Sequence, residues 1–174
     1  MAGLAGGNVY GGRKVSGGRC WPLFERNRSL MTAEDEVRHV SDQFYAALNS
    51  MAHGDAGPMM EVWSHTSDVT TMHPIGGREV GWEQVRGPWE QVAAICSGGQ
   101  VTLKDSLIRV VGDLAYQLGT EAGEITLGGH DVSFDERVTN IYRREAGGWK
   151  IVHHHSDLSP AMVDVLARLQ SPPG

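Results

Sequence analysis

Residues 136–159, ERVTNIYRREAGGWKIVHHHSDLS, contain two runs of strand-forming residues on either side of the turn sequence AGG at 146–148. Val, Ile, Tyr, Trp and Thr favour strands, and a short turn that contains glycine joins antiparallel neighbours. The stretch therefore predicts the closing hairpin of a sheet, with strands at 130–143 and 149–156.

The sequence around this hairpin predicts more strands and several helices. Glycine-containing turns separate further strands at 100–111 and 114–126. Apolar residues at helical spacing follow Thr32, a residue type that caps helices, and predict a first helix at 33–51. The remaining predicted elements are a short strand at 68–73 and helices at 56–63, 81–95 and 160–169. Helices followed by long antiparallel strands predict an α+β domain, with the helices packed on one face of a curved sheet.

The composition is that of one globular domain, and the charge argues against some partners. The chain has 174 residues, of which 40% are hydrophobic and 21% are charged. Residues 31–174 carry a net charge of −10, whereas a nucleic-acid surface needs clustered Lys and Arg, so we expect no nucleic-acid partner. No run of about 18 apolar residues occurs, so we expect no membrane partner. Cys20 and Cys96 lie far apart in unlike contexts, which predicts a reduced, cytoplasmic protein.

Three segments differ in composition. Residues 1–30 are rich in glycine and carry five basic residues against one acidic residue, which predicts a disordered basic leader or an extension before a start at Met31. Residues 31–170 hold all the predicted helices and strands and form the predicted domain. Residues 171–174 are interpreted as a short tail.

The three consecutive histidines near the end of the last strand need a separate account. Side chains alternate along a strand, so His153 and His155 share one face and His154 takes the other. The same alternation places Trp149 and Ile151 on the first of these faces. Three consecutive histidines on a strand therefore cannot all bind one ion. The run is interpreted either as part of a site or as a polar network that braces the strand.

Two long stretches resemble one superfamily. Residues 44–89, FYAALNSMAHGDAGPMMEVWSHTSDVTTMHPIGGREVGWEQVRGPW, resemble the helical front half of nuclear-transport-factor-2-like (NTF2-like) proteins. Residues 136–159 resemble the closing hairpin of the SnoaL-like and ketosteroid-isomerase-like branch, and the resemblance as a whole covers about 31–160. It implies a cone, in which a curved antiparallel sheet and the N-terminal helices enclose one apolar pocket. The superfamily holds isomerases, cyclases, dehydratases, epoxide hydrolases and domains without a known reaction, so fold alone does not fix the function.

The resemblance implies three catalytic positions. His73 lies directly before Pro74, where ketosteroid-isomerase-like relatives have an aspartate general base, and an imidazole with an ordinary pKa near 6.5 can accept a proton near neutral pH. The oxyanion-stabilising tyrosine of these relatives falls at Phe44, with Tyr45 one residue further along the helix. Their protonated aspartate falls near Thr139.

The expected site combines these positions with the histidine run and the aromatic residues. The candidate catalytic residues are His73, Thr139, His153 and His155, and the candidate substrate-binding residues are Tyr45, Trp63, Trp89 and Tyr116. A metal site formed by His73, His153 and His155 is conceivable, because zinc and iron accept three imidazole ligands. No carboxylate or cysteine at a suitable spacing in the sequence supports such a site. We therefore expect no metal and no cofactor.

Three functions are compatible with these residues. The first is a cofactor-free proton-transfer enzyme, an isomerase, cyclase or dehydratase, that acts on a small hydrophobic molecule. The second is a non-catalytic domain that binds a small ligand or dimerises, and we expect a homodimer because relatives pair through the exposed sheet face. The third is carbonic-anhydrase-like activity, because HHHS at 153–156 is similar to a motif of the iota class, with Thr139, Tyr142 and Ser156 as the lining hydroxyls. The first requires that His73 and the histidine run meet in one cavity.

Overall fold

The structure is a computed structural model that describes residues 31–170. The expectations for 1–30 and 171–174 lie outside the described residues. The described residues form four helices, α1 (Ala33–Ala52), α2 (Gly57–Val62), α3 (Trp82–Ile95) and α4 (Pro160–Gln170), and six strands, β1 (Thr70–His73), β2 (Gly76–Val80), β3 (Cys96–Val111), β4 (Leu114–Leu127), β5 (His130–Glu145) and β6 (Gly148–Ser156).

The six strands form one curved sheet in the order β2-β1-β6-β5-β4-β3. Neighbouring strands are antiparallel, except that β1 and β6 run parallel. The predicted α+β cone is therefore confirmed, with one parallel pair inside an otherwise antiparallel sheet. We call the face that carries the buried side chains the inner face and the opposite one the outer face. No helix within 31–170 has the length and apolarity needed to span a membrane.

Helix α1 begins where the sequence predicts and packs one face against the sheet. Thr32 Oγ1 accepts a hydrogen bond from the backbone N–H of Asp35, and the Asp35 carboxylate accepts one from the backbone N–H of Thr32. This reciprocal arrangement satisfies two backbone donors that the first helical turn leaves free. Phe44 and Leu48 lie on the buried face of the helix, so α1 forms a wall of the hydrophobic core.

Strand β2 was missed by the sequence analysis, which predicted no strand between the strand at 68–73 and the helix at 81–95. Gly76 and Gly77 have φ angles of 91° and 88°, a region that favours glycine, and they begin β2 directly after the turn. The strand is mostly exposed and has no apolar alternation, so its sequence lacks the usual strand pattern. Strand β3 also begins four residues earlier than predicted, at Cys96 rather than at 100.

A β-bulge interrupts the pairing of β5 with β6. Ile141 pairs with His153 while its neighbour Tyr142 pairs with Ile151, so Val152 is an extra residue on β6. An extra residue reverses the alternation of side chains on one side of the bulge. The faces predicted for the last strand are therefore wrong beyond Ile151.

Because of the bulge, the three histidines do not point to the faces that simple alternation predicts. Trp149 and Ile151 are buried on the inner face, and His154 is buried on the same face with 2% of its surface exposed. His153 is half-buried and His155 is exposed, both on the outer face. One histidine, and not two, therefore reaches the interior.

Helix α4 closes the domain beside the β1–β2 turn. The backbone N–H of Ser159 donates to the carbonyl of Pro74 at 2.7 Å, which fixes the start of the helix. Met162 and Val165 are buried, so the amphipathic helix turns its apolar face toward the core.

Candidate functional site

A cavity of about 70 Å³ lies between the inner face of the sheet and the helices α1, α3 and α4. Most of its wall is apolar and includes Leu48, Met51, Trp89, Ile125, Leu127, Phe134, Met162 and Leu166. The ionisable side chains that residues 31–170 contribute to it are His73, Glu121, Glu136 and His154. An apolar space with a few convergent polar groups is the usual form of a small-molecule site.

An outer cleft of about 610 Å³ adjoins this cavity. The two spaces share His73, Ile75, Val92 and Leu166 in their walls. The cavity itself is about half the size of one of ~150 Å³ that admits benzene, so a larger ligand would also occupy the cleft. His73 therefore lies where the cleft meets the cavity.

His73 is held at the end of β1 by the following proline and is 6% exposed. Burial lowers its pKa to about 4, so the imidazole is neutral at physiological pH. Its Nε2 has no hydrogen-bond partner among residues 31–170 and lies 3.9 Å from Glu79 Oε2. Its ring meets the Trp89 ring edge-on, with centroids 4.6 Å apart. The side chain thus offers an uncommitted, neutral nitrogen.

His154 is oriented by a chain of buried amides and hydroxyls. Asn140 Nδ2 donates to Gln117 Oε1 at 3.2 Å and to Tyr45 Oη at 3.4 Å, so Asn140 Oδ1 is the acceptor atom. That oxygen lies 2.7 Å from His154 Nδ1, which must therefore donate. Burial keeps the pKa of His154 well below its ordinary value, so the ring is neutral. A neutral ring with its proton on Nδ1 has a basic Nε2.

Glu121 is a buried carboxyl on the inner face of β4, with 5% of its surface exposed. Burial, with a smaller contribution from the nearby Glu136 carboxyl, raises its pKa to about 7. Tyr45 Oη donates to Glu121 Oε1 at 2.8 Å and partly opposes this shift by favouring the carboxylate. Glu121 can therefore hold or release a proton near neutral pH.

Glu136 faces Glu121 directly across the β4–β5 pair. Burial raises the pKa of Glu136 as well, and the Ser159 hydroxyl beside it acts in the opposite direction. Glu136 Oε1 is buried and has no hydrogen-bond partner among the described residues. Two facing carboxyl groups in an apolar wall favour a state in which at least one is protonated.

The sequence-predicted residues divide between the cavity and the outer face. His73 and Trp89 line the cavity. Tyr45 lies behind it through its bond to Glu121, and Trp63 is buried with its ring centroid 6.3 Å from that of Trp89.

The other four predicted residues are not in the cavity, and this part of the expected geometry is wrong. The bulge turns His153 and His155 outward, and His153 Nδ1 instead lies 2.7 Å from Thr70 Oγ1. Thr139 pairs with His155 and faces outward beside it, because the inner positions of β5 are the even-numbered ones. Tyr116 is 40% exposed on the outer side of β4.

The three hydroxyl groups of the carbonic-anhydrase hypothesis and the three histidines of the metal-site hypothesis do not come together in the structure. Tyr142 and Ser156 are buried on the inner face while Thr139 faces outward, so these three hydroxyls do not line one site. His73 and His155 lie on opposite faces of the sheet. Within residues 31–170, no group of three or more His, Cys, Asp or Glu side chains is placed to hold a metal ion.

Sequence reasoning missed four residues of the cavity or its support: Glu121, Glu136, Asn140 and His154. Strand β4 explains part of the difficulty, because its large apolar residues near 114–118 lie on the outer face. Leu114, Tyr116 and Leu118 lie outside, whereas Ala115 lies inside. The sequence did contain a sign of the inner face further along the strand. Ile125 and Leu127 are at odd-numbered positions, as Glu121 is, so their side chains share its face.

The chain belongs to the SnoaL-like domain family, whose sequence profile matches residues 37–162. Among solved structures it is similar to a dehydratase candidate of the NTF2-like family from Streptomyces avermitilis. That comparison has 26% identity and a TM-score of 0.64, and covers 74% of this chain and 96% of that one. No curated protein matches the sequence significantly.

Two further solved structures show the range of proteins with this fold. One is a candidate calcium/calmodulin-dependent protein kinase type II association domain from Thiobacillus denitrificans, with 26% identity, a TM-score of 0.58, and coverage of 70% of this chain and 94% of that one. The other is an NTF2-like superfamily protein from Salmonella enterica serovar Typhimurium, with 18% identity, a TM-score of 0.64, and coverage of 72% and 89%. The second supports the fold alone.

Proposed function

We propose that this SnoaL-like domain is a proton-transfer enzyme of the dehydratase or isomerase type that acts on a small hydrophobic substrate. One observation carries the proposal: a neutral imidazole, His73, and a carboxyl that titrates near pH 7, Glu121, line the same apolar cavity. General acid–base catalysis needs such a pair, with each group in the right protonation state near the working pH.

The two groups have complementary roles in a dehydration. His73 removes a proton from the carbon next to a carbonyl group, and the electron pair of that C–H bond forms a carbon–carbon double bond. The C–O bond of a hydroxyl on the next carbon breaks, and protonated Glu121 supplies the proton with which it leaves as water. No electrons are gained or lost overall, so the step needs no electron carrier. An isomerisation uses the same pair to move a proton between two carbons.

Three further points support these roles. An apolar setting keeps a carboxylic acid neutral, and a neutral acid can donate its proton to the leaving hydroxyl. The Tyr45 hydroxyl holds Glu121 in place from behind the cavity wall. The dehydratase candidate at 26% identity agrees with this reaction class.

The pH dependence of kcat/KM tests the assignment. Turnover requires neutral His73 and protonated Glu121, so we expect kcat/KM to be highest between about pH 4 and about pH 7 and to fall on both sides. Small β-hydroxy ketones that raise the melting temperature are the first compounds to assay. Their dehydration forms a conjugated enone, which is followed by its ultraviolet absorbance.

The variant that tests the role of His73 as the base is His73→Ala. We expect it to lower turnover by about 100-fold or more while changing the free energy of unfolding by only about 1 kcal/mol. His130→Ala, at an exposed position at the start of β5, is the control and should alter neither quantity. A rate that keeps rising above pH 7, or a fully active His73→Ala variant, would reject the assigned roles.

A second function, assembly through the outer face of the sheet, is favoured by a separate observation. Large apolar side chains are exposed there side by side on β3 and β4: Leu107, Val111, Leu114, Tyr116 and Leu118. Contiguous apolar surface of this kind is typical of protein contacts. The similarity to a candidate kinase association domain agrees with this second role, which is compatible with the first.

Sedimentation tests the expected homodimer. We expect a dimer at micromolar concentration for the unmodified protein and a monomer for the double variant Tyr116→Arg/Leu118→Arg, because two buried charges per subunit would oppose the contact. Leu158→Arg, at an exposed apolar residue outside β3 and β4, should leave the dimer intact. A monomeric unmodified protein would reject the assembly role.

A further inference from the structure

The cavity and the outer cleft have an acidic lining. Glu121 and Glu136 line the cavity, and Glu79 lines the cleft. Among the residues that the structure describes, no Lys or Arg lines either space. The two histidines add no positive charge, because burial keeps both rings neutral. An anionic ligand would therefore meet three carboxyl groups and no counter-charge.

Unsatisfied polar atoms mark where a ligand would be bound. Within the part of the chain that the structure describes, Glu136 Oε1, Glu79 Oε2 and His73 Nε2 are buried without hydrogen-bond partners. Buried polar groups in proteins are almost always paired, so atoms of this kind call for a donor from outside the chain. Glu136 is 7% exposed in the cavity wall.

The spacing of two of these atoms fits a single donor. His73 Nε2 and Glu79 Oε2 are 3.9 Å apart, too far for a direct hydrogen bond. One nitrogen about 2.8–3.0 Å from each would bridge them, and a protonated amine carries three N–H donors. Burial raises the pKa of Glu79, so its carboxylate gains from a nearby cation that replaces lost hydration.

The neighbouring surfaces suit the rest of such a ligand. Trp89 lines the cavity next to His73, and aromatic faces attract cations as well as apolar groups. Ile75, Val92 and Leu166 line both spaces and supply an apolar path from the cleft to the cavity.

We propose that the site selects ligands with a protonated amino group on an apolar body, with the ammonium between His73 Nε2 and Glu79 Oε2. This names a ligand class of the same cavity and goes beyond the function proposed above: an ammonium held at His73 Nε2 occupies the nitrogen that removes the carbon proton, so such a ligand competes with the substrate. Glu79 is the specificity-determining residue for the amino group. Carboxylates and phosphates of similar size are excluded by the acidic lining.

Three compounds with one common body test the charge preference: 3-phenylpropylamine, 3-phenylpropanol and 3-phenylpropanoate. Calorimetric titration of the full chain at neutral pH is expected to give the amine an affinity about tenfold higher than that of the alcohol, because its hydrogen bonds are charge-assisted, and no measurable binding of the carboxylate. Glu79→Gln should lower the affinity for the amine to that for the alcohol and leave the alcohol unchanged. Glu83→Gln, an exposed neighbour on α3, is the matched control and should bind all three like the unmodified protein.

The outcomes of these titrations test the ligand class separately from the proton-transfer function. Binding of the carboxylate as tightly as the amine, an amine preference that survives Glu79→Gln, or no binding of any of the three would each overturn the ligand class. Selective amine binding, together with the loss of selectivity in Glu79→Gln, supports it. None of the three compounds is a β-hydroxy ketone, so their binding leaves the proton-transfer function to be tested by the turnover of β-hydroxy ketones.

Discussion

At about pH 8, Glu121→Gln is expected to raise the free energy of unfolding by about 2–3 kcal/mol, and at about pH 5 by about 1 kcal/mol or less. The ordinary pKa of the carboxyl, 4.5, applies in the unfolded chain, whereas burial raises it to about 7 in the folded protein. Between these values the folded state binds more protons than the unfolded state, so stability falls as the pH rises. Above about pH 7 the full penalty of a buried negative charge is present. Glutamine removes that penalty and can still accept the hydrogen bond from Tyr45.

Urea denaturation at the two pH values measures this effect. Glu124→Gln is the matched control, because Glu124 is on the same strand but exposed, and it should stay within about 0.5 kcal/mol of the unmodified protein at both. The stabilised Glu121→Gln variant should also have lost turnover, since it cannot supply the leaving proton. A gain in stability together with a loss of activity is expected for a functional group that destabilises the folded protein. Equal destabilisation at both pH values would show that the carboxylate is well satisfied in its site.

The second large effect is expected for Gly123→Ala, with a loss of about 3–5 kcal/mol in the free energy of unfolding. Gly123 pairs with Val101 across β3 and β4, and a Cβ atom added there would collide with the backbone oxygen of Gln100. Real Cβ atoms do not approach an oxygen so closely, so β3 and β4 would have to separate locally. Val101 and Ile125 line the cavity next to this point, and the cavity wall would move with the strands.

Gly98→Ala provides the comparison for this prediction. Gly98 lies on the same pair of strands, and no atom lies within 4 Å of the Cβ that alanine would add. Its cost should be below about 1 kcal/mol. Urea midpoints measured together for the two variants give the difference. Similar midpoints would show that β3 moves aside easily and that close approach of the backbones is not what glycine provides at 123.

The fold could be predicted from sequence because its main elements have regular patterns. The apolar spacing after Thr32 and the long strands around AGG at 146–148 identified α1 and the closing hairpin. Strand β2 could not be found in the same way, because Gly76 and Gly77 use positive φ angles and the strand buries little. A pattern of burial predicts an element only where the element is buried.

The cavity was harder to predict than the fold because its residues depend on which face each strand turns inward. His73 could be chosen from its place before Pro74, and it does line the cavity. Glu121 could not be chosen in this way, since a buried carboxyl looks like a surface residue in sequence and β4 has apolar residues on both faces near its start. His154 was assigned to the wrong face, because pairing of β5 with β6 places an extra residue at Val152, and nothing in the local sequence marks it.

The extra residue in β6 also affects how sequences of this type should be aligned. In a chain without Val152, only one residue would separate Ile151 from His154, so regular strand pairing without a bulge would place both side chains on the inner face. Such a chain would keep a single histidine of this run in the interior. A chain of the same length without the bulge would instead place two imidazoles inside and one outside. Two sequences that align without a gap across the three histidines can therefore differ in how many of these imidazoles face the interior. Two sequences that differ by a one-residue gap can place the same single imidazole there. At this position a gap in an alignment carries more chemical information than a matched letter.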